Sequence, residues 1–298
     1  GLEILGDGAA AAVGRHLEEL GLLETATFRE ASASANRPDA PERRANIEDV
    51  DRIRDDFRPG AKLVIVGAGY IGLEVAAVAV MRGLDVTVVE LADRVMARGG
   101  APLISDFFTR VHQQAGVKIR CNTGIQSFNG VSRVQSVILS DGSEIPADLV
   151  IVGIGILPNV EIAEAAGLPC DNGIVVDEYC RTSDADILAI GACTNHPNAL
   201  LGRRLRLESV HNAQEQAKTA ADTILGKLEP YAQVPWFWSD QYDLKLQFVG
   251  LSADNQQVVV RGDPESRSFA AFYLDDGRLS AVYAINNPRE FMLSKKLI

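Results

Sequence analysis

The chain has 298 residues, which is enough for two or three domains around large buried cores. Its hydrophobic fraction of 47% is that of a soluble globular protein, and its formal net charge of −11 argues against general nucleic-acid binding. No signal-peptide pattern is visible at the N-terminus, so we expect a cytoplasmic protein without membrane association. The four cysteines form no C-x-x-C pair and the four histidines show no metal-ligand spacing, so we expect reduced thiols and no metal site.

The first thirty residues predict a weak strand–turn–helix unit. The pattern G-x-G-x-x-A at Gly6, Gly8 and Ala11 is followed by a helix-like run, and residues 25–30 predict the next strand. The preceding strand is very short, so an alanine-rich capped helix is an equal alternative. Residues 31–60 are polar and proline-containing and predict a linker with one short helix, Ile47–Phe57.

The segment that follows carries the strongest signal in the chain. A β-branched apolar run from Lys62 ends in G-x-G-x-x-G at Gly67, Gly69 and Gly72, and an apolar helix follows. Gly67 permits a tight turn, Gly69 lets a diphosphate approach the backbone, and Gly72 lets the helix pack on its strand. The helix N-terminus offers N–H groups and partial positive charge to phosphates. The pattern predicts a dinucleotide site, and Glu74 and the glycines argue against a membrane span here.

An acidic residue completes this pattern. Residues 85–90 predict the next parallel strand, and Glu90 ends it eighteen residues after Gly72. A carboxylate there accepts hydrogen bonds from an unphosphorylated ribose and repels a 2′-phosphate, which favours NAD(H) over NADP(H). Arg94 and Arg98 are close in sequence, and a nearby arginine can accommodate a 2′-phosphate, which tempers the preference for NAD(H). The alternative is a glycine turn that binds nothing.

The rest of this unit alternates helix and strand. We expect a helix over residues 103–115, a strand at 117–120, and a hairpin through 134–139 with its turn at Asp141–Gly142. A buried strand over 148–153 ends in Gly153 and Gly155. Glycines at the end of a strand let a cofactor lie against the backbone.

The C-terminal half contains one well-marked helix and then changes character. Ser209 is the expected N-cap of that helix and Gly226 its C′ residue. Short alternating strands are expected at about 244–249, 257–261, 269–274 and 279–285, with a tight turn at 275–277. The pattern predicts a separate α+β domain after Pro230.

Five strings of residues together resemble the FAD-dependent ferredoxin reductases, a family of two-dinucleotide flavoprotein reductases. The strings are Val64–Glu74, Ile151–Asn159, Gly173–Ser183, Arg206–Ala213 and Pro235–Tyr242. The resemblance covers about residues 46–298, and residues 1–38 only loosely. The tryptophan-containing string at Pro235–Tyr242 is the most specific of the five.

The resemblance implies an α/β fold with parallel sheets and a C-terminal α+β interface domain. The implied division is an FAD-binding domain at 1–57 and 150–227 with its first piece truncated, an NAD(H)-binding domain at 58–149, and the interface domain at 228–298. It also implies that NADH gives a hydride to flavin N5 and that reduced flavin passes single electrons to an acidic [2Fe–2S] ferredoxin. Hydride transfer is cofactor chemistry, so no catalytic side chain is expected, and the chain would be a monomer or weak dimer.

Cofactor-binding roles follow from the matching strings only. The resemblance assigns the NADH phosphates and ribose to Gly67, Gly69, Tyr70, Ile71, Gly72 and Glu90, and the nicotinamide end to Glu74, Gly153 and Gly155. It assigns FAD to Gly6, Gly8, Ala11, the position of Ala192, Val210 and Trp238. Trp236 and Trp238 would wall the flavin; the alternative of a plain core aromatic is nearly as well supported for Trp236 and less well for Trp238.

Two features depart from the family. Its members carry Gly-Asp-Cys where this chain has Gly191-Ala192-Cys193, and a methyl group cannot accept the hydrogen bond that the aspartate accepts from the flavin nucleotide. Loss of such a bond costs about 1.5–3 kcal/mol. The spacing between the two glycine patterns is also several dozen residues short of the family's, so the FAD half looks internally shortened.

Two alternatives therefore stand beside an NADH:ferredoxin reductase. One is a flavin-deficient NAD(H)-binding protein on the same scaffold without reductase turnover. The other is a disulfide or peroxide reductase, which needs a redox cysteine pair or an activated thiol that the sequence does not show. For an acidic partner we expect a local basic cluster, formed by Arg203, Arg204, Arg206, Lys245, Lys295 and Lys296.

Overall fold

The computed structural model describes residues 29–30, 53–131, 133–253 and 256–298. These residues form two compact units. The first contains the described residues up to Gly155 together with Ser239–Leu244, and the second contains Ile156–Trp238 and Lys245–Ile298. The glycine pattern at Gly6, Gly8 and Ala11 lies outside the described residues.

The first unit is built on a mixed five-stranded sheet. Its elements in chain order are β1 (Arg29–Glu30), β2 (Lys62–Val66), α1 (Tyr70–Met81), β3 (Asp85–Val89), α2 (Pro102–Gln114), β4 (Lys118–Arg120), β5 (Ile125–Gly130), β6 (Val134–Leu139), β7 (Glu144–Pro146) and β8 (Leu149–Val152). The sheet order is β1-β8-β2-β3-β4, and β8, β2, β3 and β4 run parallel. The central strands β2 and β3 are almost wholly buried, as apolar strands covered on both faces should be.

The edge strand β1 lies within the segment that the sequence predicted as a strand. Residues 25–30 were expected to follow the first helix in a βαβ unit, whose strands would be parallel. Of these residues the structure describes Arg29–Glu30, which pair antiparallel with β8, Arg29 opposite Val152 and Glu30 opposite Ile151. The parallel pairing expected with an earlier strand stays a prediction, because that strand lies outside the described residues.

A three-stranded antiparallel sheet, β5-β6-β7, is inserted between β4 and β8. The predicted hairpin turn is confirmed: Gly142 has φ +80°, and the Asp141 carboxylate accepts hydrogen bonds from the Ser143 N–H and hydroxyl. Val137 and Leu139 are fully buried and pack with apolar residues of the parallel sheet. The insertion therefore shares the core of the first unit.

The second unit begins with short elements and one long helix. They are α3 (Glu161–Ala165), β9 (Ile174–Val175), β10 (Thr194–Asn198), β11 (Arg203–Leu205) and α4 (Val210–Ile224). The helix limits were predicted correctly, because Ser209 Oγ accepts a hydrogen bond of 3.1 Å from the Asn212 N–H and Gly226 adopts φ +76° just beyond the end. Strand β10 was not predicted from the sequence, because it contains a proline and two asparagines, residues that are uncommon in strands.

The C-terminal elements are β12 (Trp236–Gln241), β13 (Leu244–Gly250), β14 (Gln257–Asp263), β15 (Ser268–Asp275), β16 (Arg278–Ile285) and α5 (Pro288–Ser294). The strands follow the order β12-β13-β16-β15-β14. The four predicted strands are present, and the turn at Asp276–Gly277 has positive φ at both residues. Strand β12 and helix α5 were missed. Asn287 caps α5 and Pro288 is its first residue, both short-range signals of a helix start.

The mixed α/β architecture, with parallel strands first and antiparallel strands at the end, is confirmed. Within the three long described ranges, no helix combines the length and apolar character that a membrane crossing requires. The limits of the expected FAD-binding, NAD(H)-binding and interface domains stay a prediction.

Candidate functional site: the glycine turn and the residues around it

The turn between β2 and α1 places its three glycines in three different environments. Gly67 has φ +103°, and a β-carbon there would lie 2.4 Å from the carbonyl oxygen of Gly153. A β-carbon at Gly72 would lie 2.1 Å from the Gly67 carbonyl oxygen, whereas nothing lies within 4 Å of one at Gly69. Gly67 and Gly72 are therefore required by packing, and Gly69 leaves an open approach to the backbone.

The first turn of α1 suits an anion. The helix has no side-chain N-cap and no acidic residue in its first turn, which contains Tyr70 and Ile71. The first N–H groups of a helix lack partners within the helix and carry partial positive charge. The Tyr70 hydroxyl donates a hydrogen bond of 2.9 Å to the carbonyl of Gly99, which fixes its ring against the loop after β3.

Glu90 follows β3 directly and is tied to the same turn. Its Oε2 accepts a hydrogen bond of 2.7 Å from the Ala68 N–H, and its Oε1 accepts one of 2.8 Å from the Ala92 N–H. Each carboxylate oxygen has two lone pairs, so both oxygens retain acceptor capacity for a sugar. The side chain is half-buried. The structure thus brings Glu90 and the glycine turn together, as the sequence predicted.

The two arginines near Glu90 have separate surroundings. Arg94 Nη1 donates to the Gly100 carbonyl at 2.6 Å and to Ser105 Oγ at 2.9 Å, and it holds the loop before α2. Arg98 is exposed, and its Nη1 lies 3.0 Å from the position of a β-carbon at Gly155. Arg94 is therefore part of the loop structure, and Arg98 lies at the glycines that follow β8.

The glycines after β8 lie against the glycine turn. The Gly153 N–H donates a hydrogen bond of 2.8 Å to the Val66 carbonyl, which extends the β2–β8 ladder, and Gly67 packs on the Gly153 carbonyl. Gly155 is exposed and has φ +123°. The ends of two neighbouring parallel strands, β2 and β8, thus expose backbone at one edge of the sheet, where such folds bind ligands.

Glu74 lies one turn into α1 and is buried, with 8% of its surface exposed. Ser239 Oγ donates a hydrogen bond of 2.5 Å to Glu74 Oε1. Burial raises the pKa of Glu74 to about 7, with the charge of Asp240 adding to the rise and the Ser239 bond opposing it. This carboxyl group therefore changes charge near neutral pH, an unusual property for a glutamate.

From Glu74 a series of hydrogen-bonded polar side chains continues that was not predicted from the sequence. Gln241 Nε2 donates to Ser239 Oγ at 3.0 Å, Gln241 Oε1 lies 2.8 Å from His112 Nε2, and the Tyr242 hydroxyl lies 2.8 Å from His112 Nδ1. His112 is buried and has a hydrogen-bond partner at each ring nitrogen. The sequence did contain a pointer to these residues, because Ser239, Gln241 and Tyr242 belong to the tryptophan-containing string Pro235–Tyr242.

In the second unit, the predicted flavin residues lie near the start of α4. Val210 is the first residue of the helix, and the adjacent His211 ring packs 5.1 Å from the Trp236 ring. Trp236 also contacts Trp238, whose ring centroid lies 5.8 Å away, and Phe291 at 5.4 Å. Trp236 is thus a member of an aromatic cluster of this unit, which agrees with its interpretation as a core aromatic.

Ala192 lies in a turn where its side chain accepts nothing. The Gly191 N–H donates a hydrogen bond of 2.6 Å to Gln216 Oε1, and Arg206 Nη1 donates to the Ala192 carbonyl at 3.3 Å. Arg206 also pairs with Glu208 at 2.8 Å. The backbone of the turn is therefore well anchored, while the carboxylate that the family carries at this position is missing.

None of the four cysteines is in a disulfide. Burial raises the pKa of each thiol above its ordinary value, for Cys180 to about 11; the others are Cys121, Cys170 and Cys193. Thiol chemistry needs the thiolate, which a raised pKa disfavours. The raised pKa values therefore disfavour the thiolate form at all four positions.

Comparison with known proteins identifies the family of the chain. The chain belongs to the pyridine nucleotide-disulphide oxidoreductase family, which matches residues 31–217. A second family, described as reductase C-terminal, matches residues 236–298. Together the two matches cover the described parts of both compact units, apart from short stretches.

Relatives of the chain include proteins named as ferredoxin reductases. It is 44% identical over 255 residues to putidaredoxin reductase CamA of Pseudomonas putida and 47% identical over 239 residues to rhodocoxin reductase of Rhodococcus erythropolis. These matches cover 85% and 80% of this chain but only 60% and 56% of the relatives. The resemblance to ferredoxin reductases is thus confirmed, and the chain spans a little over half the length of these relatives.

A solved structure supports the same relationship. The covalent putidaredoxin reductase–putidaredoxin complex matches with a TM-score of 0.81 and 44% identity, over 85% of this chain and 61% of that one. The ferredoxin reductase of the CYP199A2 system from Rhodopseudomonas palustris matches with a TM-score of 0.84 and 42% identity, over 93% of this chain and 69% of that one. The flavoprotein-reductase fold is therefore shown.

Proposed function

We propose that this chain binds NADH at the glycine turn and serves as the reductase component of a ferredoxin-dependent electron-transfer system. The proposal rests on two features of the same turn. Gly69 has open space where a β-carbon would lie, and the neighbouring amide of Ala68 donates a hydrogen bond to the Glu90 carboxylate. The open glycine admits a diphosphate, and the carboxylate accepts ribose hydroxyl groups and repels a 2′-phosphate. Membership of the family and the similarity to ferredoxin reductases support the same conclusion.

Each part of the dinucleotide would have its own residues. The amides of Tyr70, Ile71 and Gly72 at the start of α1 would hold the diphosphate. Glu74 and the backbone at Gly153 and Gly155 would hold the nicotinamide end. Glu74 would do so as a hydrogen-bond acceptor when ionised and as a neutral carboxyl group below its pKa of about 7.

The second unit would hold part of FAD. Val210 and the N-terminus of α4 would face its ring, since this helix has no acidic residue in its first turn and can stabilise negative charge. Trp238 would cover the ring. FAD, when bound, supplies the conversion of a two-electron donor into single electrons. The fit is good at α4 and poor at Ala192, which lacks the expected acceptor.

We infer an acidic [2Fe–2S] ferredoxin as the electron acceptor. Two of the six expected basic residues serve the fold instead, because Arg204 bonds to Asn195 and Val176 and Arg206 is 10% exposed and paired with Glu208. Lys295 lies 4.6 Å over the Trp236 ring, which places positive charge beside the aromatic cluster. Lys295, with Lys296, Lys245 and Arg203, would form the positively charged surface that attracts the acidic partner.

NADH and reduced thiols are both maintained in the cytoplasm, and the four cysteines are unpaired. We therefore place the protein there. A monomer or weak dimer stays our prediction for its state of association.

The test combines an absorption spectrum with calorimetry on the purified chain. We expect visible flavin absorbance, or its appearance on adding FAD, together with NADH binding that is much tighter than NADPH binding. Electron transfer to an acidic ferredoxin should slow as ionic strength rises, because salt screens the attraction. Failure to bind NADH would refute the proposal.

The second candidate is a flavin-deficient NAD(H)-binding protein. Ala192 favours it specifically, because its methyl group replaces the acceptor for the flavin nucleotide. This candidate predicts NADH binding without turnover. Rapid reduction of an artificial acceptor by NADH would exclude it.

A further inference from the structure

The buried polar side chains that continue from Glu74 form one connected chain inside the first unit. In order they are Glu74, Ser239, Gln241, His112 and Tyr242, and we call them the Glu74 chain. Glu74, Ser239, Gln241 and His112 are each at most 8% exposed. Buried polar groups lose water, so the geometry of their mutual hydrogen bonds determines their charge and orientation.

Every hydrogen bond in this chain has a definite direction. Gln241 uses its amide N–H to donate to Ser239 Oγ, so its carbonyl oxygen faces His112 and can only accept. Nε2 of His112 must therefore carry the proton. Burial lowers the pKa of His112 to about 4, so the ring is neutral at pH 7, its Nδ1 is an acceptor, and the Tyr242 hydroxyl donates to it.

The consequence is that all donors point towards Glu74. The Tyr242 hydroxyl donates to His112, His112 to Gln241, Gln241 to Ser239, and Ser239 to Glu74 Oε1. Such an arrangement favours the ionised carboxylate. Asp240, which lies in β12 next to Ser239, opposes this effect because its negative charge raises the pKa of Glu74.

At Tyr242, the last member of the Glu74 chain, the backbone adopts a left-handed conformation. Tyr242 is the first residue of the two-residue loop between β12 and β13 and adopts φ +59°. A bulky residue is rare in this conformation, which hairpin loops normally give to glycine. Here the conformation accompanies a tyrosine ring 5.0 Å from the His112 ring and a hydroxyl group on Nδ1. A glycine would supply neither contact.

We propose that Ser239, Gln241 and His112 are positioning residues that fix the orientation and charge of Glu74 for binding the nicotinamide end of NADH. The proposal rests on the function proposed above. His112 acts through Gln241: its Nε2–H holds the amide in the orientation that donates to Ser239. Without that bond the amide can turn over and present its oxygen to Ser239, whose hydroxyl proton would then leave Glu74.

The experiment measures the titration of Glu74 and the binding of NADH separately. Carbon-13 NMR of the glutamate side-chain carboxyls follows the titration, and the Glu74→Gln variant assigns the signal. Ser239→Ala removes the last donor, Ser239→Thr retains it, and His112→Phe removes the donor that orients Gln241. Ser136→Ala is the matched control, because it removes another buried serine that donates to a glutamate, Glu144, in the same unit.

We expect Ser239→Ala and His112→Phe to raise the proton affinity of Glu74 by about tenfold, while Ser239→Thr and Ser136→Ala leave it unchanged. NADH affinity of the unaltered chain should rise with pH as Glu74 ionises, and the midpoint of that rise should move with the NMR midpoint in each variant. Tyr242→Phe gives a smaller shift in the same direction and replaces His112→Phe if that variant does not fold.

An unmoved Glu74 titration in Ser239→Ala would overturn the proposal. A titration that moves while the pH dependence of NADH binding stays fixed would also overturn it, and would leave the proposed function intact. A chain that binds no NADH at any pH would refute the proposed function and the positioning role together, although the NMR titration would still report whether the hydrogen bonds act on Glu74.

Discussion

The carboxylate of Glu90 accepts a hydrogen bond of 2.7 Å from the backbone N–H of Ala68, which joins the end of β3 to the centre of the glycine turn. In the proposed NADH site, the acid that would select the sugar is thereby held by the loop that would contact the phosphates. A charge-assisted bond of this kind is worth about 1.5–3 kcal/mol, enough to keep the side chain in one orientation before ligand binds. If NADH binds here as proposed, sugar selection and phosphate binding would be coupled through this one contact.

Replacing Glu90 by glutamine should weaken the discrimination between NADH and NADPH. The neutral side chain no longer repels a 2′-phosphate, so the ratio of the two dissociation constants should fall by about tenfold or more. Asp148→Asn is the control, because Asp148 Oδ2 also accepts a backbone hydrogen bond, from the Lys62 N–H at 2.8 Å, away from the turn. Calorimetry with both nucleotides measures the ratio, and an unchanged ratio in the Glu90 variant would refute the role of the acid.

Gly69→Ala and Gly72→Ala should separate ligand binding from folding. Nothing lies within 4 Å of a β-carbon at Gly69, so we expect a stability change within about 0.5 kcal/mol but a loss of NADH affinity of tenfold or more. A β-carbon at Gly72 would lie 2.1 Å from the Gly67 carbonyl, so that variant should lose about 2 kcal/mol or more of stability. Urea unfolding and NADH titration distinguish the two, and equal NADH affinity of Gly69→Ala and the unaltered chain would contradict the assignment.

Local signals in the sequence were sufficient for much of the fold. The glycine pattern, the N-cap at Ser209 and the turn at Asp141–Gly142 each involve residues within a few positions of one another, where backbone geometry decides the outcome. Strand β12 was missed because its two tryptophans, Trp236 and Trp238, were considered as flavin contacts rather than as part of a strand. Helix α5 has only seven residues, too few for an apolar period to be recognised.

The candidate site could be predicted only in part, for a physical reason. Gly67, Gly72 and Glu90 belong to one continuous strand–turn–helix–strand segment, so their proximity follows from local structure. The contact between Glu74 and Ser239 joins residues 165 positions apart in the chain, and no local pattern encodes it. The change in the pKa of Glu74 depends on burial, which is a property of the folded unit.

His196 should make the protein sensitive to acid. Burial and the charge of Arg204 lower its pKa to about 4, so below pH 6.5 the unfolded chain binds a proton that the folded chain excludes. The stability it contributes is present above pH 6.5 and is lost as pH falls towards 4, by about 3 kcal/mol. About 2 kcal/mol of this loss falls between pH 7 and pH 5, and His196→Phe should remove it from the difference in unfolding free energy measured at those two pH values. An identical pH dependence in the variant would contradict this.

Glu74 should make the folded protein less stable as pH rises, whereas His196 makes it less stable as pH falls. The pKa of Glu74 is raised from 4.5 to about 7 on folding, so the stability it contributes is present below pH 4.5 and is lost as pH rises through 7. The loss corresponds to about 3 kcal/mol. Glu74→Gln keeps an acceptor for Ser239 and carries no charge, so it should match the unaltered chain near pH 4.5 and exceed its stability by up to that amount at pH 8. Denaturant unfolding across this range measures the difference, and a constant difference would refute the raised pKa.

Restoring the carboxylate at position 192 should strengthen flavin binding. Ala192 lies in a turn anchored by the Gly191–Gln216 hydrogen bond, so the backbone is already held for a side chain that accepts from the ligand. Ala192→Asp should gain one charge-assisted hydrogen bond, about 1.5–3 kcal/mol, and raise FAD affinity by about ten- to a hundredfold. Ala192→Asn, similar in size but neutral, should gain less. Flavin fluorescence quenching on titration with FAD measures both, and equal FAD affinity in all three chains would show that the missing aspartate does not limit flavin binding here.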